Sequence, residues 1–141
     1  MPFSTCRSEE VIELLRLQVF HIKCKIKSQM LSPDTDYVCY FVFKLSENCH
    51  GLHSPVRVRD ILHWKNKETK ILFFRSPNPL DQHDVNWVPE QRADGFMEVI
   101  VWKFNSNYNC RKNCIPMNMK LIAYEGTMSG LIAFSLEVRP M

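Results

Sequence analysis

The stretch KIKSQMLSPDTDYVCYFVFKL, Lys25 to Leu45, decides the fold. Within it, Tyr37 to Phe43 is an unbroken apolar and aromatic run, the longest in the chain. β-branched and aromatic side chains dominate, and these suit a pleated, packed surface better than a helix. Cys39, Phe41 and Phe43 form one alternating set, and Val38, Tyr40 and Val42 form the other. Both sets are apolar, so the spacing predicts a central strand covered on its two faces. Ser32-Pro33-Asp34-Thr35-Asp36 just before it is a turn. Proline presets one dihedral, and the Ser and Asp side chains bond nearby amides.

Working upstream, the period is again two. Phe20, Ile22, Cys24 and Ile26 alternate with His21, Lys23, Lys25 and Lys27, which predicts an amphipathic strand with a wet basic face. A solvated strand face that discourages edge pairing accounts for the three lysines. Further back, Ser8 stands where a helix cap would, with Glu9 and Glu10 in the first turn and Val11, Ile12, Leu14 and Leu15 as an apolar face. A short helix is expected there. Residues 1–18 are read as an N-terminal helical segment and residues 19–141 as the β domain.

Working downstream, Val56 and Val58 alternate with Arg57 and Arg59, and Ile71 to Phe74 is a buried run. Residues 76 to 92 hold three prolines and scattered charge, which predicts a long loop of the kind that often carries function. Met97 to Phe104, Met117 to Tyr124 and Leu131 to Val138 complete about seven strands, with "NSNYNCRKN" (105–113) as a polar loop and Gly126 and Gly130 in the last turn. No βαβ alternation is present. The pattern is that of an all-β, antiparallel β-sandwich with a short N-terminal helix.

At 141 residues the chain fits one domain. Its net charge is +3, and no run of like charge reaches four. Residues 1–70 carry 11 Lys/Arg against 8 Asp/Glu, and residues 71–141 carry 7 of each. This balance gives no concentrated basic tract for a nucleic acid. No apolar run approaches the roughly 18 residues that span a bilayer. With no export signal and no glycosylation acceptor, the chain reads as intracellular. The six cysteines, at 6, 24, 39, 49, 110 and 114, are scattered and are expected as free thiols. Cys49, His50 and His53 against Cys110 and Cys114 do not have the knuckle spacing of a zinc site, so neither metal nor cofactor is expected.

Three segments carry a resemblance. KIKSQMLSPDTDYVCYFVFKL is similar to the first strand pair of the plant phloem lectin family, phloem protein 2. RADGFMEV (Arg92 to Val99) resembles that family's Asp-Gly-aromatic-Met-Glu signature. SGLIAFSLEVRPM (Ser129 to Met141) resembles its closing strand, which ends in Arg-Pro. VIELLRLQVFHIKCKI looks like the entry used by members that carry an F-box ahead of this domain. The resemblance implies a β-sandwich of jelly-roll type and a non-catalytic lectin activity towards N-acetylglucosamine oligomers or N-glycans. Glycans and glycoproteins are the implied partners, and the implied location is the plant cytoplasm and nucleus. In F-box relatives it implies a substrate-recognition module that works with ubiquitin-ligase adaptor proteins. The departures are Val19 where tryptophan is common, Cys24 where glycine is common, and Trp102-Lys103 where relatives have Gly-Glu. The upstream tryptophans and penultimate-strand acids credited with sugar contacts are absent before Glu125.

Sugar recognition needs an aromatic face to stack on the ring's C–H side and polar groups for its hydroxyls. Loops at one end of a sandwich usually supply both. The candidates are Trp87, Tyr108 and Tyr124, with Glu125 as the hydroxyl acceptor. Trp102 lies mid-strand beside Phe104 and is expected in the core, while Trp64 sits among charges. Asp94 and Glu98 are a carboxylate pair on paper. Asp94 precedes Gly95 at a turn, however, and turn capping explains it, while Glu98 is expected to face solvent. The cluster Asp81-Gln-His-Asp84 is read as a polar loop. No nucleophile–base motif or phosphate-cradling loop is present, so catalysis is not expected.

Overall fold

The computed structural model describes residues 4–14, 19–47, 52, 54–61, 70–75, 87–107, 114–123 and 129–141, the first of these as backbone only. Nine strands are described: β1 (Ser4–Leu14), β2 (Val19–Lys27), β3 (Asp36–Leu45), β4 (Val56–Asp60), β5 (Lys70–Leu72), β6 (Glu90–Gln91), β7 (Met97–Asn105), β8 (Cys114–Ala123) and β9 (Leu131–Pro140). A single helical turn, Ser28–Met30, follows β2. The strands form two antiparallel sheets, one ordered β1-β9-β3-β7-β6 and the other β2-β8-β4-β5.

β3 lies between β9 and β7, and its double apolar pattern follows from that position. Tyr37, Cys39, Phe41 and Phe43 face the second sheet and join the core with Ile22 and Ile26 of β2, Val56 and Val58 of β4, and Ile115, Met117, Met119 and Leu121 of β8. Phe41, Phe43 and Phe74 pack as an aromatic cluster, with Phe43 edge-on to Phe74 at 5.1 Å between ring centres. Burying each such side chain contributes about 1.5–3 kcal/mol. Val38 and Val42 face the other way and are buried nonetheless. Glu98, Glu137, Arg92 and Arg139 lie around them on that outer surface.

The short N-terminal helix is not formed. Residues 4–14 are a strand paired antiparallel with β9, from Ser4 opposite Val138 to Leu14 opposite Leu131, with an irregularity between Arg7 and Ile12. One face of a helix this short is a weak signal, since isolated helices below ~12 residues are marginal. The main-chain groups along β9 offer a complete ladder, and tertiary pairing overrides the cap-like Ser8.

Two further expectations are corrected. Cys24 is disulfide-bonded rather than free, while Cys39 and Cys114 are free. Glu98 is on the outward face as its alternation requires, yet its side chain is only 11% exposed because two arginines cover it. Trp102, expected in the core, is half-buried at its margin, stacked on Phe104 at 4.8 Å between centres.

Candidate functional site

Strand register divides the domain into two ends. Lys27, Cys114, Asp36, Asn105 and Pro140 mark one, because Lys27 pairs with Cys114 and Asp36 with Asn105, and Tyr37 pairs with Pro140. Val19, Ala123, Leu45 and Leu131 mark the other. Asn107 and Cys114, which flank residues 108–113 in the chain, lie at the first end. Ala123, which precedes residues 124–128, lies at the second. Tyr108, Tyr124, Glu125 and Trp64 themselves lie outside the described residues, as do Asp81 to Asp84.

Trp87 belongs to the second end. Its backbone bonds Ile71 and Phe73, with Trp87 N–H donating to the Ile71 carbonyl at 3.3 Å and Phe73 N–H donating to the Trp87 carbonyl at 3.2 Å. Leu72, which Trp87 flanks, lies opposite Val56, and Val56 lies opposite Ala123. Trp87 and the start of the 124–128 segment therefore share one row across the second sheet, about 14 Å apart at ~4.8 Å per strand. The Trp87 ring is half-buried and packs on the core. Trp87 and Ala123 thus share one end of the domain, and Asn107 and Cys114, which flank Tyr108's segment, lie at the other.

The first end carries a polar clasp that joins the Ser-Pro-Asp turn to the end of β7. Asp34 N–H donates to Asn107 Oδ1 at 3.1 Å, and Asn107 Nδ2 donates back to Asp34 Oδ1 at 3.1 Å. Thr35 N–H donates to Ser106 Oγ, and Asn105 Nδ2 donates to Asp36 Oδ1 at 3.0 Å. Asp34 has a φ of +47°, a backbone state that Asp tolerates better than most residues. Asp34, Asp36 and Asn107 are exposed at the base of the Tyr108 loop. These groups were not among the sequence candidates. The available signal was Asp-x-Asp in one turn and Asn-x-Asn in another, which spacing alone does not bring together.

On the outer face of the first sheet, Arg139 of β9 reaches across β3 to Glu98 of β7, and Arg92 reaches from the turn before β7 to Glu137 of β9. Arg139 also bonds Glu137 at 2.5 Å, and Arg92 bonds Asp94 at 2.8 Å. Burial pushes the Glu137 carboxyl up. Hydrogen bonds from Arg139 and Arg92, with their charges, outweigh that and hold it below its ordinary value. The bond to Glu98 pushes the Arg139 guanidinium further up, against burial and with Glu137 adding to it. The Arg139 guanidinium also lies over the Tyr40 ring, 4.4 Å from its centre. Glu98 and Asp94, the carboxylate pair considered for bond cleavage, are thus tied into ion pairs. Asp94 also accepts from Phe96 N–H at 3.1 Å, the turn cap expected of it.

Among the described residues no helix is long and apolar enough to cross a membrane. Among the described residues no cluster of His, Cys, Asp and Glu is arranged to hold a metal ion.

Comparison with known proteins finds plant relatives. The chain is 33% identical over 139 residues to the F-box protein At2g02240 of Arabidopsis thaliana, a match that covers 95% of this chain and 42% of that protein. The Arabidopsis F-box protein PP2-B7 is 31% identical, with 94% of this chain and 45% of that protein covered. The putative F-box protein PP2-B2 from the same plant is 30% identical, with 95% and 44% covered. The chain spans less than half the length of these relatives. The network just described is built from two of the three segments that suggested a resemblance in the sequence, Arg92 to Val99 and Ser129 to Met141. Those segments meet around β3, and the family pattern described as Phloem protein 2 runs through all of them, over residues 2–140. This chain belongs to the phloem protein 2 family.

Proposed function

We propose that the chain is a non-catalytic recognition domain on a jelly-roll scaffold, binding N-acetylglucosamine-containing or N-glycan ligands at the rim of the sandwich. The observation that carries this reading is the row Trp87–Leu72–Val56–Ala123. It puts Trp87 and Ala123, the residue before Tyr124 and Glu125 in the chain, on one row at the same end of the domain. Trp87 and Tyr124 supply stacking surfaces in this reading, and Glu125 accepts from hydroxyls. Tyr108, which follows Asn107 of the clasp in the chain, is a second candidate contact. The site of action is the cytoplasm and nucleus. The test is a glycan screen at neutral pH with chitin oligomers and N-glycans. Trp87→Ala, Tyr124→Ala or Glu125→Gln is expected to weaken binding about tenfold, near 1.4 kcal/mol. No signal from the folded wild-type chain sinks the reading.

One observation favours a second reading. The relatives reported above are named as F-box proteins, and this chain corresponds to less than half of each. We infer from this a protein-recognition module that selects clients in a ubiquitin-ligase setting, with sugar binding lost. A silent glycan screen together with stoichiometric binding of one purified client supports it. Retained glycan binding sinks it.

A further inference from the structure

The two sheets differ sharply in charge. In the second sheet, β2 brings three Lys/Arg residues, β4 two, and β5 and β8 one each, against the single carboxylate of Asp60. The strands of the first sheet carry four Lys/Arg against seven Asp/Glu. Register concentrates the basic charge further. His21 lies opposite Lys120, and Lys120 lies opposite Arg59. Lys23, Lys25 and Lys27 occupy alternate positions on the exposed face of β2 and span about 13 Å at ~3.3 Å per residue. β2 is also the edge strand of its sheet, paired on one side only, to β8, among the described residues.

We propose that the β2 edge and the basic face beside it receive an extended acidic segment of a partner protein, with carboxylates at alternate positions. An added strand places every second side chain on the lysine face, so Asp or Glu at that spacing meets Lys23, Lys25 and Lys27 as cross-strand pairs. The same lysines repel a like-charged strand and leave an apolar one without compensation for their charge, which makes the edge selective rather than sticky. Among the described residues the exposed face of β2, β8, β4 and β5 has no Phe, Tyr or Trp, and His21 is the one ring that could stack a base. This favours a polypeptide over a single-stranded nucleic acid. The β2 lysines and Lys120 make this face independently of whether the rim binds a glycan.

The experiment is fluorescence anisotropy with a short labelled peptide bearing Glu at alternate positions, next to the same peptide bearing Gln. The Glu peptide is expected to bind and the Gln peptide to fail. Raising NaCl from about 50 to about 300 mM is expected to weaken binding roughly tenfold or more. The Lys23→Glu/Lys25→Glu/Lys27→Glu variant is expected to lose at least about tenfold while its circular dichroism is unchanged, and to gain binding to the peptide bearing Lys. Lys44→Glu/Lys103→Glu, in the other sheet, is expected to bind the Glu peptide as wild type does. Equal binding of the Gln peptide, or unchanged affinity after charge reversal, overturns the proposal. So does tighter binding of oligouridylate RNA or phosphatidylserine vesicles that displaces the peptide. Self-association that charge reversal abolishes assigns the face to a second copy and equally overturns it.

Discussion

Arg139 grips Glu98 through two parallel hydrogen bonds, Nη1 to Oε1 at 3.1 Å and Nη2 to Oε2 at 2.6 Å. The two residues lie on β9 and β7, either side of β3, so the pair crosses the central strand. Arg92 and Glu137 make a second crossing in the opposite sense at 3.0 Å. A fork of this kind fixes geometry as well as charge.

Removing one partner strands the others. Arg139→Ala takes from Glu98 its two-bond partner and leaves Arg92 alone beside two largely covered carboxylates. The expected loss is about 1–3 kcal/mol, between exposed and fully buried pairs, read as a shift of the urea midpoint. Lys103→Ala, exposed on the same sheet, is expected to stay within ~0.5 kcal/mol of wild type.

Glu137 sets an acid limit on stability. Its carboxyl is lowered in the folded state, so its contribution is present above the ordinary value of 4.5 and is lost as pH falls through the folded value. Unfolding free energy is therefore expected to drop as pH falls below 4.5. Glu137→Gln is expected to be roughly 1–2 kcal/mol less stable at neutral pH. Its pH profile in the acid range is expected to be flatter. Urea titrations at stepped pH check both.

Gly95 separates backbone strain from crowding. Its φ is +88°, and a Cβ placed there meets nothing within 4 Å. Gly95→Ala is therefore expected to cost about 1–2 kcal/mol through backbone conformation alone. Gly95→Asn is expected to cost less, because Asn tolerates positive φ. Thermal unfolding of the two variants ranks them.

The cysteines are expected to behave unequally. Burial pushes the Cys39 thiol well above its ordinary value, so little thiolate forms and the folded chain shields it. Alkylation without reductant is expected to leave Cys39 unmodified until denaturant is added. Cys24, disulfide-bonded, is expected to stay unmodified even then and to react only after reduction. Peptide mass mapping of protein trapped directly from cells then shows whether the Cys24 bridge exists in the compartment where the chain works.

Phe43 tests the core. It is fully buried between Phe41 and Phe74. Phe43→Ala is expected to cost about 3–5 kcal/mol in chemical denaturation, since neighbours on two sheets cannot close the void.

The sequence by itself determined the strands whose apolar periodicity is strong. The doubly apolar run at Tyr37 to Phe43, the lysine alternation of β2 and the ladder pattern of β9 each carry enough side-chain information to fix conformation locally. It also determined the family, because the signature segments keep their order along the chain. The tertiary structure alone decided the state of residues 4–14, where a helix-like start yields to unfilled hydrogen bonds along β9. It decided that Asp94 pairs with Arg92 and Glu98 with Arg139, and that Trp87 sits at the opposite end from Asn107 and Cys114, which flank Tyr108's segment. It decided the charge segregation too. Counted along the chain, acids and bases are nearly balanced in each half, and only the assembly of β2, β4, β5 and β8 into one sheet gathers the cations. Periodicity is a local property that the chain carries with it. Contacts between distant segments depend on register and on which strands become neighbours, and no single stretch encodes those.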